Sequence, residues 1–171
     1  MDYLQQLNES QRKAVEATEG PVMVMGTFHS VFARILRAES EKIGYPSNFT
    51  IYDTQDAKNL IKSILKEQGI DEKIYKPGLV LSRISSAKNN LITPQAYLNN
   101  TNLQSEDTQS AKPKLGEVYK IYSERCFKAG AMDFDDLLFK TNVLLRDFPD
   151  VLYKYQHRFK YILVDEYQDT N

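Results

Sequence analysis

The chain has 171 residues, 42% of them hydrophobic, and a formal net charge of -1 at pH 7. These values are typical of one well-packed domain, alone or with a small appendage, and they exclude a disordered chain. One cysteine excludes an internal disulfide, and two histidines far apart leave little for a zinc site. No apolar run approaches the ~20 residues that span a bilayer, and the N-terminus lacks the apolar core of a signal peptide. We therefore expect a cytoplasmic protein that does not enter membranes.

Charge is unevenly distributed along the chain. Between Thr54 and Ile92 seven cations face four acids, whereas between Asp133 and Asn171 eight acids face five cations. A neutral total can therefore hide a mildly basic middle and an acidic end. Two solvated helix surfaces are the simpler explanation of this pattern.

The first part of the chain predicts a helix, a strand and a second helix. Asn8 and Gln11 have the form of a capping pair that opens a helix to about Ala17. Val22 to Met25 is apolar at every position, as in a strand covered on both faces, although four residues alone do not distinguish a strand from a helix. A second helix is expected from Ser30 to about Ile43.

Helices dominate the middle of the chain. After an extended piece, Phe49 to Tyr52, a helix capped by Asp53 or Thr54 is predicted because apolar residues recur with helical spacing. The positions in that pattern are Ala57, Leu60, Ile61, Ile64 and Leu65.

Two prolines mark the next helices. Pro77 and Pro94 each suit the first turn of a helix, and these helices are expected to end near Asn89 and Asn100. The segment Asn99 to Lys112 is polar and low in apolar residues, so the sequence predicts a mobile loop there.

The last part of the chain predicts three helices and a strand. The first helix runs from about Pro113 to Ala129, Asp133 caps the second, and the third follows Phe148-Pro149. The strand, Tyr161 to Val164, is apolar and stops at two carboxylates.

Those carboxylates, Asp165 and Glu166, are the sharpest chemical signal. A buried strand followed by two acids places them at the carboxyl end of a parallel sheet, where α/β proteins bind ligands. In phosphoryl transfer such an aspartate holds Mg²⁺ and the adjacent acid orients or deprotonates the attacking water. The alternative is a strand end with two solvated acids.

Four motifs in order give the chain a family resemblance. They are "LNESQRKAV", "GTFHS", "MDFDDLL" and "DEYQDTN". With them the chain resembles the UvrD/PcrA/Rep-type superfamily 1 DNA helicases. Between the motifs, "NFTIYD", "ILKEQGID" and "ISSAKNNLI" resemble the helical insertion subdomain of that family's first motor domain, so the resemblance covers essentially the whole chain.

The resemblance implies a mainly α fold, in which a helical insertion subdomain sits on a small parallel β remnant of a P-loop (RecA-like) α/β motor domain. Residues 1–43 are then the start of the motor domain and residues 44–130 the insertion. Residues 131–171 return to the motor domain and end in its Walker B strand.

The resemblance also implies DNA contacts. Thr27, Phe28 and His29 match a motif that contacts single-stranded DNA, where an aromatic ring can stack on a base. Taken alone, a phenylalanine such as Phe28 is more often a core residue. Lys88 falls where the insertion faces duplex DNA, so a phosphate contact is expected, with an exposed helix lysine as the alternative.

Four further positions match the family's nucleotide site. Gln11 corresponds to the glutamine that reads adenine, although it could also serve as the helix cap described above. Asp165 corresponds to the Mg²⁺ ligand, Glu166 to the general base for water attack, and Gln168 to a residue that senses the nucleotide.

The sequence departs from the family at the phosphate loop. A P-loop has the form G-x-x-x-x-G-K-[ST], and none of the seven glycines here is followed by lysine. In relatives that loop and a further DNA-binding motif separate the first strand from "GTFHS", whereas here Met25 is joined directly to Gly26. An engineered deletion or a natural degenerate paralogue would explain the join.

We therefore expect a fragment of an ATP-dependent DNA helicase of the repair or replication type. The parent would use ATP and Mg²⁺, whereas this chain, without a Walker A motif or the second motor domain, is expected to bind neither and to lack ATPase activity. Expected partners are single-stranded and forked duplex DNA, bound weakly by a monomer. The alternative is a non-enzymatic DNA-binding or protein-docking helical module.

Overall fold

The computed structural model describes residues 26–164, which form a mainly helical protein with a two-stranded parallel sheet. The predicted fold class is confirmed in this respect. Eight α-helices and two strands occur in the described part of the chain. They are α1 (Phe28–Glu39), β1 (Thr50–Tyr52), α2 (Thr54–Glu67), α3 (Pro77–Asn89), α4 (Pro94–Asn99), α5 (Thr101–Gln109), α6 (Leu115–Lys128), β2 (Ala131–Asp133), α7 (Phe134–Asp147) and α8 (Pro149–Arg158), with a 3₁₀ helix at Ser40–Ile43 after α1.

The sheet brings together two segments that are far apart in sequence. β1 and β2 pair in parallel, with Tyr52 opposite Asp133 at their carboxyl ends. Each strand leads directly into a helix that begins with a reciprocal capping box, Asp53 with Asp56 at α2 and Asp133 with Asp136 at α7. Two strand ends and two helix N-termini therefore lie along one edge of the sheet.

The strands differ from those predicted. Tyr161 to Val164 has no strand structure, and its Tyr161 and Leu163 side chains are 89% and 87% exposed. The other predicted strand, Val22 to Met25, lies outside the described residues, as does the helix from Asn8 to Ala17. The observed strands are the extended piece before Asp53 and a three-residue segment, β2, that is too short to show an alternating pattern.

The predicted mobile loop from Asn99 to Lys112 is wrong, because α5 occupies most of it. Asn100 caps this helix by accepting hydrogen bonds from the backbone N–H groups of Asn102 and Leu103. Buried Asp107 accepts a hydrogen bond of 2.7 Å from the Tyr97 hydroxyl. Polar contacts and one partly buried apolar side chain, Leu103, anchor the helix, so its polar composition suggested a loop.

Two groups of buried side chains form the interior. The first lies among α2, α3, α4 and α6 and includes most of the predicted apolar face of α2, with Leu60 partly buried against it. The second lies among α1, α7, α8 and the sheet, and it includes Tyr45 and Phe49. The division at residues 43/44 and 130/131 stays a prediction. Among residues 26–164, no helix is long and apolar enough to cross a membrane.

Candidate nucleic-acid interface

The "TFHS" motif opens α1. Thr27 is the N-cap, and its hydroxyl oxygen accepts a hydrogen bond of 3.3 Å from the Ser30 backbone N–H, while the Ser30 hydroxyl donates to the Thr27 carbonyl at 2.9 Å. The helix therefore begins at Phe28, two residues before the predicted start. This geometry leaves Phe28 47% exposed on the first turn instead of in the core.

The "MDFDDLL" motif lies beside it. Phe134 is the first residue of α7 and is 51% exposed, and its ring meets the His29 ring edge-to-face with 5.7 Å between centroids. Phe28 in turn lies 5.9 Å from Phe32. Two motifs distant in sequence thus present adjacent aromatic rings on one surface.

Sequence analysis did not single out Phe134. One signal was available, because a phenylalanine that follows a strand and occupies the first position of a capped helix has no preceding turn to pack against. Such a residue stands at the sheet edge where ligands of parallel sheets bind. The partnership with His29 could not be read from the sequence.

A groove of about 470 Å³ adjoins Phe134 between the starts of α2, α3 and α7. Its polar lining includes Lys58, Ser82, Ser85 and Asp135. The carboxylates of Asp53 and Asp133 also border it, but both are engaged as helix caps. Within the described range, no group of three or more histidine, cysteine or acidic residues is arranged to hold a metal ion.

The expected phosphate contact of Lys88 is wrong, because this side chain is 2% exposed. Its ammonium lies 2.7 Å from Asp133 Oδ2 and 3.0 Å from Asp136 Oδ1. Lys88 follows Val80 and Ile84 at four-residue intervals, so it continues the buried stripe of α3. That spacing was the sequence signal for burial.

The charged cluster around Lys88 is fully hydrogen-bonded. The Tyr122 hydroxyl donates to Asp133 Oδ2 at 2.8 Å, and the Asp136 backbone N–H donates to Asp133 Oδ1 at 2.8 Å. Lys88 also lies 5.3 Å from the centre of the Tyr122 ring. No buried side-chain nitrogen or oxygen in the described part of the chain lacks a partner.

Burial and charge set the ionisation of this cluster. Burial alone would lower the pKa of Lys88, but the charges of Asp136 and Asp133 outweigh it and raise that pKa above its usual value. Burial opposes ionisation of Asp133 as well, yet the Lys88 charge leaves its pKa lowered. Burial and repulsion from Asp133 raise the pKa of Asp136. Lys88 therefore stays charged at neutral pH.

The structure thus brings Thr27, Phe28 and His29 together with Phe134 and moves Lys88 to the interior behind them. The other predicted site residues, Gln11, Asp165, Glu166 and Gln168, lie outside the described residues.

Comparison with known proteins places these features in a family. Residues 6–171 match the family described as UvrD/REP helicase N-terminal domain. The chain is 42% identical over 153 residues to proteins named ATP-dependent DNA helicase PcrA from Staphylococcus epidermidis and Staphylococcus aureus. The alignments cover 90% of this chain and 20% of each relative, so the chain spans about a fifth of their length. The chain belongs to the UvrD/REP helicase N-terminal domain family.

Proposed function

We propose that this chain is an N-terminal part of an ATP-dependent DNA helicase and that its aromatic surface contacts single-stranded DNA. The observation that carries the proposal is the exposed Phe134 ring against His29, beside the half-exposed Phe28. In the parent, ATP-driven motion of the motor would translocate the protein along one strand and unwind duplex ahead of it. We propose a cytoplasmic repair or replication role for the parent and a monomeric state for this chain.

The surface has the chemistry that single-stranded DNA requires. Bases stack on aromatic faces in any sequence, since every base has a π-face. The exposed Phe134 ring contacts His29, next to half-exposed Phe28, and neighbouring exposed apolar side chains indicate an interaction site better than scattered ones do. The guanidinium of Arg34 lies beside Gly26 at the same end of α1 and can supply the phosphate contact expected earlier from Lys88.

We expect replacement of Phe134 by alanine to weaken binding of a labelled oligothymidine on the order of tenfold at low salt, because one base stack is lost. Fluorescence anisotropy measures the affinity. The matched control is Tyr153→Ala, which removes a 64% exposed ring that contacts His157 and not the proposed interface. The affinity should also fall as salt rises, because phosphate contacts release counterions. Equal affinities of Phe134→Ala and the unchanged chain would contradict the assignment.

The nucleotide site is proposed by resemblance. Gln11 would contact adenine, Asp165 would hold Mg²⁺, Glu166 would activate water, and Gln168 would sense the nucleotide. The sequence holds no lysine after a glycine-rich loop, so it provides no Walker A cradle for the phosphates.

We accordingly expect no Mg²⁺-dependent ATP hydrolysis by this chain, with or without single-stranded DNA. Phosphate release from purified protein is the measurement, and Glu166→Gln is the matched control. Hydrolysis that Glu166→Gln abolishes would show an operating site and refute the prediction. Hydrolysis that this variant leaves unchanged would come from a contaminating enzyme.

The second candidate function is a non-enzymatic DNA-binding or protein-docking helical module. The absence of a Walker A motif from the sequence favours it. DNA binding that ATP and Mg²⁺ do not alter would fit such a module as well as an inactive helicase part. Failure to bind single-stranded or forked DNA at low salt would leave protein docking.

A further inference from the structure

We infer that Lys88 is a positioning residue that holds the start of α7, and with it Phe134, in the orientation used at the proposed DNA interface. This inference rests on the proposed function, because Phe134 matters only if that surface contacts DNA. According to this inference, Lys88 affects DNA binding although its buried side chain does not contact DNA.

The two oxygens of each carboxylate, Asp133 and Asp136, have different partners. Asp133 uses Oδ1 to cap the Asp136 backbone N–H and Oδ2 to accept from Lys88 and Tyr122. Asp136 uses Oδ2 to accept from the Asp133 backbone N–H, and its Oδ1 lies 3.0 Å from Lys88. One oxygen of each carboxylate thus fixes the backbone and the other meets the ammonium. Phe134 lies between these two aspartates in the chain.

A comparison within the protein shows that the lysine is not needed for the cap itself. The capping box of Asp53 and Asp56 at α2 has the same reciprocal hydrogen bonds. Both of its residues are exposed, and no ion-pair partner contacts either of them among residues 26–164. Of these two capping boxes, only the one at α7, which contains Phe134, has a buried lysine as an additional contact.

The ammonium also joins the two interiors of the protein. Lys88 follows Ala87 on α3, and Ala87 packs in the first core. Its partner Asp136 precedes Leu137 on α7, and Leu137 packs in the second core. Buried ion pairs are often replaceable by apolar residues without loss of stability, and in some proteins their contribution is instead to define one geometry. Here that geometry sets the direction of an exposed ring that has little packing of its own.

The test is a double-mutant cycle on binding of a labelled oligothymidine by the full chain. The first variant is Lys88→Met with Asp136→Asn, which removes the lysine but keeps the formal charge of the cluster at one negative. The second is Phe134→Ala. We expect the first variant to lose on the order of tenfold in affinity and to lose nothing further in the Phe134→Ala background. A loss of the same size in both backgrounds would overturn the inference.

A measurement without DNA separates this inference from the proposed function. Nuclear Overhauser contacts between the His29 and Phe134 rings should weaken in the Lys88→Met/Asp136→Asn variant and persist in Lys120→Met, which removes an exposed lysine of α6. Unchanged contacts in a folded double variant would overturn the inference. If the unchanged chain does not bind DNA, the proposed function fails. The ring contacts alone then test whether Lys88 positions Phe134.

A milder variant keeps the test decisive if the double variant does not fold. Tyr122→Phe removes only the hydroxyl that donates to Asp133 Oδ2 and leaves the ion pair in place. A smaller weakening of the same ring contacts is expected, and full retention of these contacts would count against the inference.

Discussion

Replacement of Lys88 by alanine is expected to lower the free energy of unfolding by about 3–5 kcal/mol, because it leaves two buried carboxylates without their counter-ion. Asp133 and Asp136 are only 4% exposed, so water cannot take the place of the ammonium. Asp133 would keep its hydrogen bonds from Tyr122 and from the Asp136 backbone, but the repulsion between the carboxylates would be opposed only by the charge of Lys140. Urea denaturation followed by circular dichroism measures the loss.

The matched control is Lys120→Ala, which removes an exposed lysine from α6. Substitutions of this kind usually change stability by less than about 0.5 kcal/mol. If Lys88→Ala were no more destabilising than Lys120→Ala, Lys88 would be solvated in the native protein. The original expectation of a surface lysine would then be restored.

The free energy of unfolding is also expected to fall by about 1.5 kcal/mol between pH 8.5 and 10, because the thiol of Cys126 ionises in the unfolded chain but not in the folded one, and the slope approaches about 1.4 kcal/mol for each pH unit only well above the unfolded pKa. Burial raises the pKa of Cys126 from 9.0 to about 12. The unfolded chain releases this proton above about pH 8.5, whereas the folded chain retains it. The folded state therefore binds more protons, and its stability declines as pH rises.

Buried tyrosines extend the decline above about pH 10, where tyrosine ionises in an unfolded chain. Burial raises the pKa of Tyr97 to about 12, and it raises the pKa values of Tyr45, Tyr119 and Tyr122 as well. Lys88 acts in the same direction, because its raised pKa stabilises the folded protein below the unfolded value of about 10.4 and loses that effect at higher pH.

Urea titrations at pH 7.5, 8.5, 9.3 and 10 would check this prediction, with Cys126→Ala as the control. That variant should be less stable at pH 7.5 because it leaves a cavity, yet lose less stability between pH 8.5 and 9.3. Equal slopes for both proteins would show that Cys126 is not the group that titrates. If the free energy of unfolding of the unchanged protein did not depend on pH in this range, Cys126 and the tyrosines would not be buried.

The surface proposed to contact DNA was predictable from the sequence only in part. The "GTFHS" and "MDFDDLL" motifs were both recognised, and their family was confirmed. The contact between His29 and Phe134 was not foreseen, because it depends on how α1 packs against α7, which is distant from it in sequence. Lys88 was assigned to the surface although its spacing from Ile84 placed it on the buried stripe.

The sequence by itself determined where most helices begin and end. Asp53 and Asp133 cap helices, Pro77 and Pro94 begin them, and Gly130, with its positive φ of 58°, follows the end of α6. Each of these signals acts through the backbone within a few residues, so each can be read locally.

Only the tertiary structure decided which segments form the sheet, why α5 is ordered and where the charge of Lys88 lies. These outcomes depend on partners distant in the chain. Lys88 and Asp133, for example, are 45 residues apart. A charge can be buried only where the fold supplies an opposite charge and enough hydrogen bonds. The local sequence does not predict whether such a partner will be present.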